Sequence, residues 1–166
     1  DPIFTPLASK ADMWLPLRPG TDGALALAWM NVVVQEELYD REFVVRWSNG
    51  PFLVRGDNGK LLTEADAVPG GNGQRFMVWD EDRQAAVPHD APGVTPALSG
   101  SHRVGDIPCR TAWDHFTGRL TDYSPEAVAD VTWIPVEQIR EAARTYARAT
   151  PAAVGIHLGI SHHTNG

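Results

Sequence analysis

The spacing of apolar residues along the chain predicts alternating strands and helices. A short apolar run, Met13–Leu17, is typical of a buried strand. After a glycine turn, apolar side chains recur at helical spacing over residues 24–38. Towards the other end, a helical repeat covers about 136–149, and the apolar segment Ala152–Leu158 predicts a second strand. The order strand, helix, helix, strand favours the α/β class.

We therefore predict one α/β domain over residues 1–166, a Rossmann-like parallel sheet flanked by helices that begin near residues 23 and 136. A further helix starts at Ser124, whose hydroxyl suits an N-cap, with Pro125 in the first turn. Open parallel sheets bind ligands outside the carboxyl ends of their strands. This rule places the loops after Met13–Leu17 and after Ala152–Leu158 at the same edge of the predicted sheet, where a ligand would bind.

Residues 49–110 differ in character, because turn-forming residues crowd this part of the chain. Short β-like runs, Phe52–Arg55 and Arg75–Trp79, lie between the turns. The pair Asn58-Gly59 favours a tight hairpin. We predict an irregular, hairpin-rich insertion packed outside the α/β core.

The motif RPGTDGAL at residues 18–25 carries the main chemical signal. It joins a predicted strand to a helix, where Thr21 or Asp22 can cap the first backbone N–H groups. Those N–H groups and the helix dipole favour a phosphate, and the Asp22 carboxylate can accept from the paired N–H donors of guanine. The alternative interpretation is an ordinary helix cap with a tight turn.

Several motifs agree in order and spacing with one enzyme family. They are DPxxT at 1–5, ADxWLxxRPGTDGAL at 11–25, EELYDxEFV at 36–44, YSPExVADVT at 123–132, IRxAARxYA at 139–147, and Gly155 with Gly159 before Asn165-Gly166, where x is any residue. Together they resemble the molybdenum or tungsten bis-pterin-guanine-dinucleotide oxidoreductases, the dimethyl sulfoxide reductase family. Residues 51–55 and 78–80 look like the branch that contains acetylene hydratase, pyrogallol hydroxytransferase and sulfur-compound reductases.

The resemblance implies two cofactor-binding loops. The first holds the guanosine end of one pterin dinucleotide, and its residues here are Asp1, Arg18, Gly20, Thr21 and Asp22. The second approaches the pyrophosphate and the pterin, and its residues are Gly159, Ser161, His162 and His163. Gly159 allows close backbone approach, and the other three side chains can donate hydrogen bonds.

The resemblance also implies what the chain lacks by itself. The cofactor is bis-molybdopterin guanine dinucleotide with Mo or W, and the metal ligand and any iron–sulfur cluster lie outside this segment. We therefore expect an internal fragment of a larger enzyme, inactive in isolation, which helps to shape a substrate funnel. Its partners are the rest of the parent chain and an electron-transfer subunit. A complete small protein, acting as a stand-alone nucleotide-binding or regulatory module, is the alternative.

Composition narrows the classes of partner. The chain is 43% hydrophobic, enough for a sizeable core. A net charge of −7 without a basic run argues against nucleic acid. The longest uncharged apolar helical segment, Gly23–Val34, is too short to span a bilayer, so no direct membrane insertion is expected. Cys109 is the only cysteine and cannot form a disulfide within the chain or a cluster.

Three other candidate features favour structural interpretations. The histidines His157, His162 and His163 lack the carboxylates or cysteines that would complete a metal site. The acidic run Asp80–Asp82 is typical of a solvated turn rather than a catalytic pair. The six tryptophans are expected to pack in the core or the insertion. No residue of this chain is predicted to be catalytic or to bind a metal, and the cellular compartment is not assigned.

Overall fold

The computed structural model describes residues 1–155 of the chain. Its helices and strands follow one another in this order: a 3-10 turn Ala8–Lys10, α1 Asp22–Gln35, α2 Arg41–Trp47, β1 Leu53–Arg55, α3 Glu64–Ala67, β2 Met77–Asp80, β3 Ala85–Pro88, β4 Ser101–Val104, β5 Ile107–Thr111, α4 Ala112–Leu120, a 3-10 turn Thr121–Tyr123, α5 Pro125–Thr132 and α6 Val136–Arg148. No helix among these residues combines the length and the apolar character that crossing a membrane requires.

Two compact units divide the chain. The first contains residues 1–39 and the described residues from Arg119 onward, and the second contains Asp40–Gly118. The second unit therefore extends beyond the predicted insertion at 49–110 on both sides. That the two units form one domain with an insertion remains a prediction.

The first unit is built from α1, α5 and α6 around one apolar cluster. The buried members of this cluster are Leu17, Ala28, Val128, Ile134 and Ile139. Helix α6 places its apolar positions on one face, and its charged residues lie on the other. Across the first unit, the Arg144 guanidinium on α6 binds both carboxylate oxygens of Glu36, with N–O distances of 2.8–3.2 Å.

The predicted helices of the first unit are confirmed, with small shifts at their ends. Helix α1 ends at Gln35 instead of residue 38, because Glu37 adopts a left-handed φ of 53°. The N–H of Leu38 then donates to the carbonyl of Val33 at 2.8 Å, which closes the helix in a Schellman-type turn. The predicted cap of α5 is also confirmed, since the Ser124 hydroxyl accepts from the N–H of Ala127 at 3.2 Å.

The second unit contains two small antiparallel sheets. One has the strand order β1-β5-β4, with Leu53 opposite Thr111, and the other pairs β2 with β3. Their buried core consists of Leu53, Leu62, Met77 and Cys109. The predicted turn at Asn58-Gly59 is present: Gly59 has a φ of 71°, and the chain returns to pair Leu61 with Val54.

The predicted parallel sheet is not present among residues 1–155. The segment Met13–Leu17 is not a strand, because Pro16 has no N–H and the N–H of Leu17 bonds locally to the carbonyl of Leu15 at 2.9 Å. No described strand pairs with this segment, and an isolated extended run leaves its polar groups without ladder partners. Residues 152–155 are not a strand, and the rest of Ala152–Leu158 lies outside the described residues. The predicted mixture of helices and strands is confirmed, but the sheets among residues 1–155 are antiparallel.

Asp80 corrects the prediction of a solvated acidic turn. Its side chain is fully buried at the end of β2, where Oδ1 accepts from the N–H of Asp82 at 2.9 Å and of Arg83 at 3.3 Å. Burial raises the pKa of Asp80, but these N–H groups and the paired Arg83 guanidinium outweigh burial and hold the pKa below its ordinary value. The carboxylate therefore organises the β2–β3 turn.

His102 is a half-buried histidine of the second unit. It stacks on Trp79 with ring centroids 4.3 Å apart and planes 13° from parallel. Its Nε2 atom is buried without a hydrogen-bond partner in the described structure. Burial lowers the pKa of His102, and the nearby Asp114 carboxylate opposes this shift only partly. The folded chain therefore disfavours protonation of His102 relative to the unfolded chain.

We expect this ring to make stability depend on pH. As pH falls below 6.5, the ordinary value, the unfolded chain binds a proton on His102 before the folded chain does, so the free energy of unfolding decreases. This stability is lost between 6.5 and the lowered pKa of the folded state. His102→Phe keeps the stack without the proton site, so its melting temperature should fall less than that of the natural protein between about pH 7 and about pH 5. Equal losses in both proteins would contradict this prediction.

Candidate functional site

The loop between Leu17 and α1 is held by a small set of backbone contacts. The N–H of Arg18 donates to the carbonyl of Thr132 at 2.8 Å, which ties the loop to the end of α5. The Arg18 carbonyl accepts from the N–H of Thr21 at 3.2 Å and from its hydroxyl at 2.6 Å. Gly20 turns the chain between them with a φ of 79°, a conformation that favours glycine. The loop is thus a closed turn that leads directly into the helix.

The start of α1 presents backbone donors without intramolecular acceptors. The first helical N–H to donate is that of Leu25, to the Thr21 carbonyl at 3.1 Å. Within residues 1–155, the N–H groups of Asp22, Gly23 and Ala24 have no assigned acceptor. The expectation that a side chain of Thr21 or Asp22 caps them is wrong, because Thr21 occupies the N-cap position but its hydroxyl donates to Arg18. These donors are available to an anion.

Asp22 is the first residue of α1, and its side chain is half-buried. In the described structure its carboxylate accepts no hydrogen bond and joins no ion pair. No heavy atom lies within 4 Å of the position that a Cβ would take on Gly23, so the helix start has open space beside it. The carboxylate is therefore an acceptor placed next to free backbone donors.

Trp133 is a neighbour of this loop that sequence reasoning missed. The Arg18 guanidinium carbon lies 5.6 Å from the centroid of the Trp133 ring, within range of a cation–π contact. The side chain of Trp133 is 67% exposed, so the prediction of core packing is wrong for this tryptophan. The signal available in the sequence was its position between the α5 motif and Ile134-Pro135, where a helix must end.

Asp1 lies alongside the segment that precedes the loop. Its backbone nitrogen donates to the carbonyl of Leu15 at 3.1 Å, and its own carbonyl accepts from the Trp14 indole at 2.8 Å. The Asp1 carboxylate accepts from the N–H of Ile3 at 3.0 Å. The structure therefore places Asp1, Arg18, Gly20, Thr21 and Asp22 in the same unit.

The second predicted loop lies outside the described residues. Gly159, Ser161, His162 and His163, together with His157, fall in this part of the chain, and their roles remain predictions. Among residues 1–155, no group of three or more His, Cys, Asp or Glu side chains is arranged to hold a metal ion.

A cleft of about 370 Å³ lies in the second unit, and sequence reasoning did not identify it. It is lined by Val44, Ser48, Asn49, Gly50, Ala112, Trp113 and Phe116. None of these side chains is an acid, a base or a thiol, so the cleft provides shape and apolar surface rather than proton transfer.

The amino-acid sequence is similar to those of several known proteins. No protein-family model matches it. It is 35% identical to the alpha subunit of the dimethylsulfide dehydrogenase of Rhodovulum sulfidophilum, over 99% of this chain and 19% of the relative. It is 32% identical to a putative catalytic subunit of the dimethyl sulfoxide reductase of Halobacterium salinarum, over 100% of this chain and 20% of the relative.

The fold of this chain is also similar to part of one solved structure. The acetylene hydratase of Pelobacter acetylenicus superposes with a TM-score of 0.54 and 25% identity, over 96% of this chain and 13% of that chain. The chain thus spans about a fifth of the length of the curated relatives named above and less of the solved structure. These similarities confirm what the motifs predict: the chain belongs to the dimethyl sulfoxide reductase family of molybdenum and tungsten pterin enzymes.

Proposed function

We propose that this chain is a segment of a larger molybdenum or tungsten enzyme and binds the guanosine end of one pterin guanine dinucleotide. The observation that carries the proposal is the loop before α1, where free backbone N–H groups adjoin a carboxylate that has no hydrogen-bond partner. The family membership supports this proposal, because the chain is related to such enzymes along nearly its whole length.

The residues of the loop fit the chemistry of a guanine nucleotide. A phosphate group accepts from the N–H groups at the start of α1 and from the Arg18 guanidinium. The Asp22 carboxylate accepts from the two adjacent N–H donors on the edge of guanine, a pair that adenine does not present. The loop therefore offers donors that suit a phosphate and an acceptor that distinguishes guanine from adenine.

The bound cofactor would supply two-electron or oxygen-atom chemistry at its metal, while the protein provides orientation. Residues of this chain would bind the nucleotide and help to line the substrate funnel. We place the metal ligand in the remainder of the enzyme, as the family resemblance implies. A segment of this kind does not turn over substrate by itself.

Partners follow from the same proposal. We propose that the rest of the parent chain completes the pterin site, that any iron–sulfur cluster lies there, and that an electron-transfer subunit delivers or removes electrons. Relatives named as alpha or catalytic subunits support an assembly of several chains.

The proposal is tested on the isolated chain and on the protein encoded by the uninterrupted reading frame. The purified chain of 166 residues should hold no stoichiometric molybdenum, tungsten, iron or zinc by elemental analysis. The longer protein should hold molybdenum or tungsten and should release guanosine monophosphate when its pyrophosphate bonds are hydrolysed. A reading frame that stops at this segment, with nucleotide binding but no pterin, would favour the stand-alone module. Metal held stoichiometrically by the isolated chain would overturn the assignment.

A further inference from the structure

We propose that Trp133 is a positioning residue of the nucleotide site, whose ring holds the Arg18 guanidinium in place to bind a phosphate. This inference rests on the proposed function and assigns a residue that neither the motifs nor the helix pattern identified. It starts from the cation–π contact of 5.6 Å between Arg18 and Trp133.

Both side chains extend from backbone that is fixed by its neighbours. Leu17 precedes Arg18 and Ile134 follows Trp133, and these two apolar residues are 5% and 1% exposed within one cluster. Thr132 is fully buried, and its carbonyl accepts from the Arg18 N–H at 2.8 Å. The loop and the end of α5 are therefore tied together directly beneath the ring contact.

Neither burial nor backbone preference explains a tryptophan at residue 133. The ring is 67% exposed, and the residue adopts a left-handed φ of 65°, which favours glycine. The N–H of Trp133 closes α5 by donating to the Ala129 carbonyl at 2.9 Å, a bond that any residue except proline can make. Among the described residues, the interaction assigned to the indole ring itself is its cation–π contact with Arg18.

The contact leaves the guanidinium ready for an anion. The guanidinium has five N–H donors, and a contact with one aromatic ring does not use these donors as hydrogen bonds to an acceptor would. Within residues 1–155, Arg18 has no ion pair or side-chain hydrogen bond that would compete for those donors. Arg144, in contrast, has its guanidinium occupied by Glu36. Of these two arginines, Arg18 is the one placed to meet the phosphate of a nucleotide bound at α1.

Trp133→Gly separates positioning from stability in the enzyme that contains this segment. Glycine is suited to the left-handed backbone, so the melting temperature of the cofactor-free protein should not fall. The purified holoenzyme should nevertheless lose its guanine nucleotide about two- to fivefold faster on dialysis, the change expected from one exposed cation–π contact. Trp133→Phe keeps an aromatic face and should retain most of the nucleotide.

Glu37→Gly is the matched control. Glu37 is also a left-handed residue of the first unit, so this substitution makes the same backbone change without removing an aromatic ring. It should not alter nucleotide loss. In an Arg18→Ala background, Trp133→Gly should add no further effect, as a shared interaction requires.

An equal effect of Trp133→Gly on nucleotide loss with and without Arg18, or a lowered melting temperature, would show a structural role and overturn the inference. If Trp133→Gly has no effect while Asp22→Ala accelerates loss, only this inference fails; if neither accelerates loss, the proposed function fails too.

Discussion

Replacing Asp22 with alanine should weaken the hold of the full-length enzyme on its guanine nucleotide by about 1.5–3 kcal/mol, the free energy of hydrogen bonds to a charged acceptor. This corresponds to roughly a 10- to 150-fold change in affinity. The measurement is the guanosine monophosphate content of the purified enzyme during extended dialysis. The physical reason is that the Asp22 carboxylate has no acceptor role within residues 1–155, so its hydrogen-bonding capacity is available to the ligand.

The stability of the cofactor-free variant provides the counter-test. Because the Asp22 side chain does not cap α1, its removal should cost only the dipole interaction at the helix start, about 0.3–1 kcal/mol. Asp40→Ala is the matched control, since Asp40 does cap a helix and accepts from the N–H of Phe43 at 2.9 Å. That variant should lose about 1 kcal/mol of stability and keep its nucleotide. A destabilised Asp22→Ala enzyme with unchanged nucleotide content would show that the site assignment is wrong.

The helices α1, α5 and α6 of the first unit were predictable from the sequence because local residues specify them, whereas α2, α3 and α4 were not predicted. Ser124 and Pro125 mark the start of α5, and the apolar repeat of α6 identifies its buried face. The end of α1 was harder to predict, since Glu37 adopts a left-handed conformation that is usual for glycine. A glutamate in the sequence does not indicate a left-handed backbone conformation.

Strands were less predictable, because a strand is completed by a partner distant in sequence. The run Met13–Leu17 is as apolar as a buried strand, yet within residues 1–155 it has no ladder neighbour. In the second unit, the hairpin at Asn58-Gly59 was evident from its turn. The pairing of β1 with β5 was not, since it joins Leu53 to Thr111 across further strands and a helix.

The candidate site was predictable only in part for a similar reason. RPGTDGAL identifies the turn and the helix start by local sequence. The approach of Trp133 to Arg18 depends instead on the hydrogen bond from Arg18 to Thr132, a contact between distant parts of the chain. Such contacts follow from packing of α1 and α5, which periodicity alone does not specify.

The two apolar clusters should respond separately to mutation. Ile139 and Leu53 are both completely buried, Ile139 in the helical unit and Leu53 in the unit of antiparallel strands. Truncation of either side chain to alanine leaves a cavity and should cost about 2–5 kcal/mol. Val131→Ala is the matched control, because Val131 is 43% exposed and its truncation should change stability by less than about 0.5 kcal/mol.

Amide hydrogen exchange on the chain of 166 residues distinguishes one cooperative core from two. Ile139→Ala should reduce protection mainly in α1 and α6, whose residues pack around that side chain. Leu53→Ala should reduce protection mainly in β1 and β5, which pair through Leu53 and Thr111. If both substitutions reduced protection equally throughout the chain, the two units would unfold as one, because a shared core transmits the loss of either side chain to every element that packs on it.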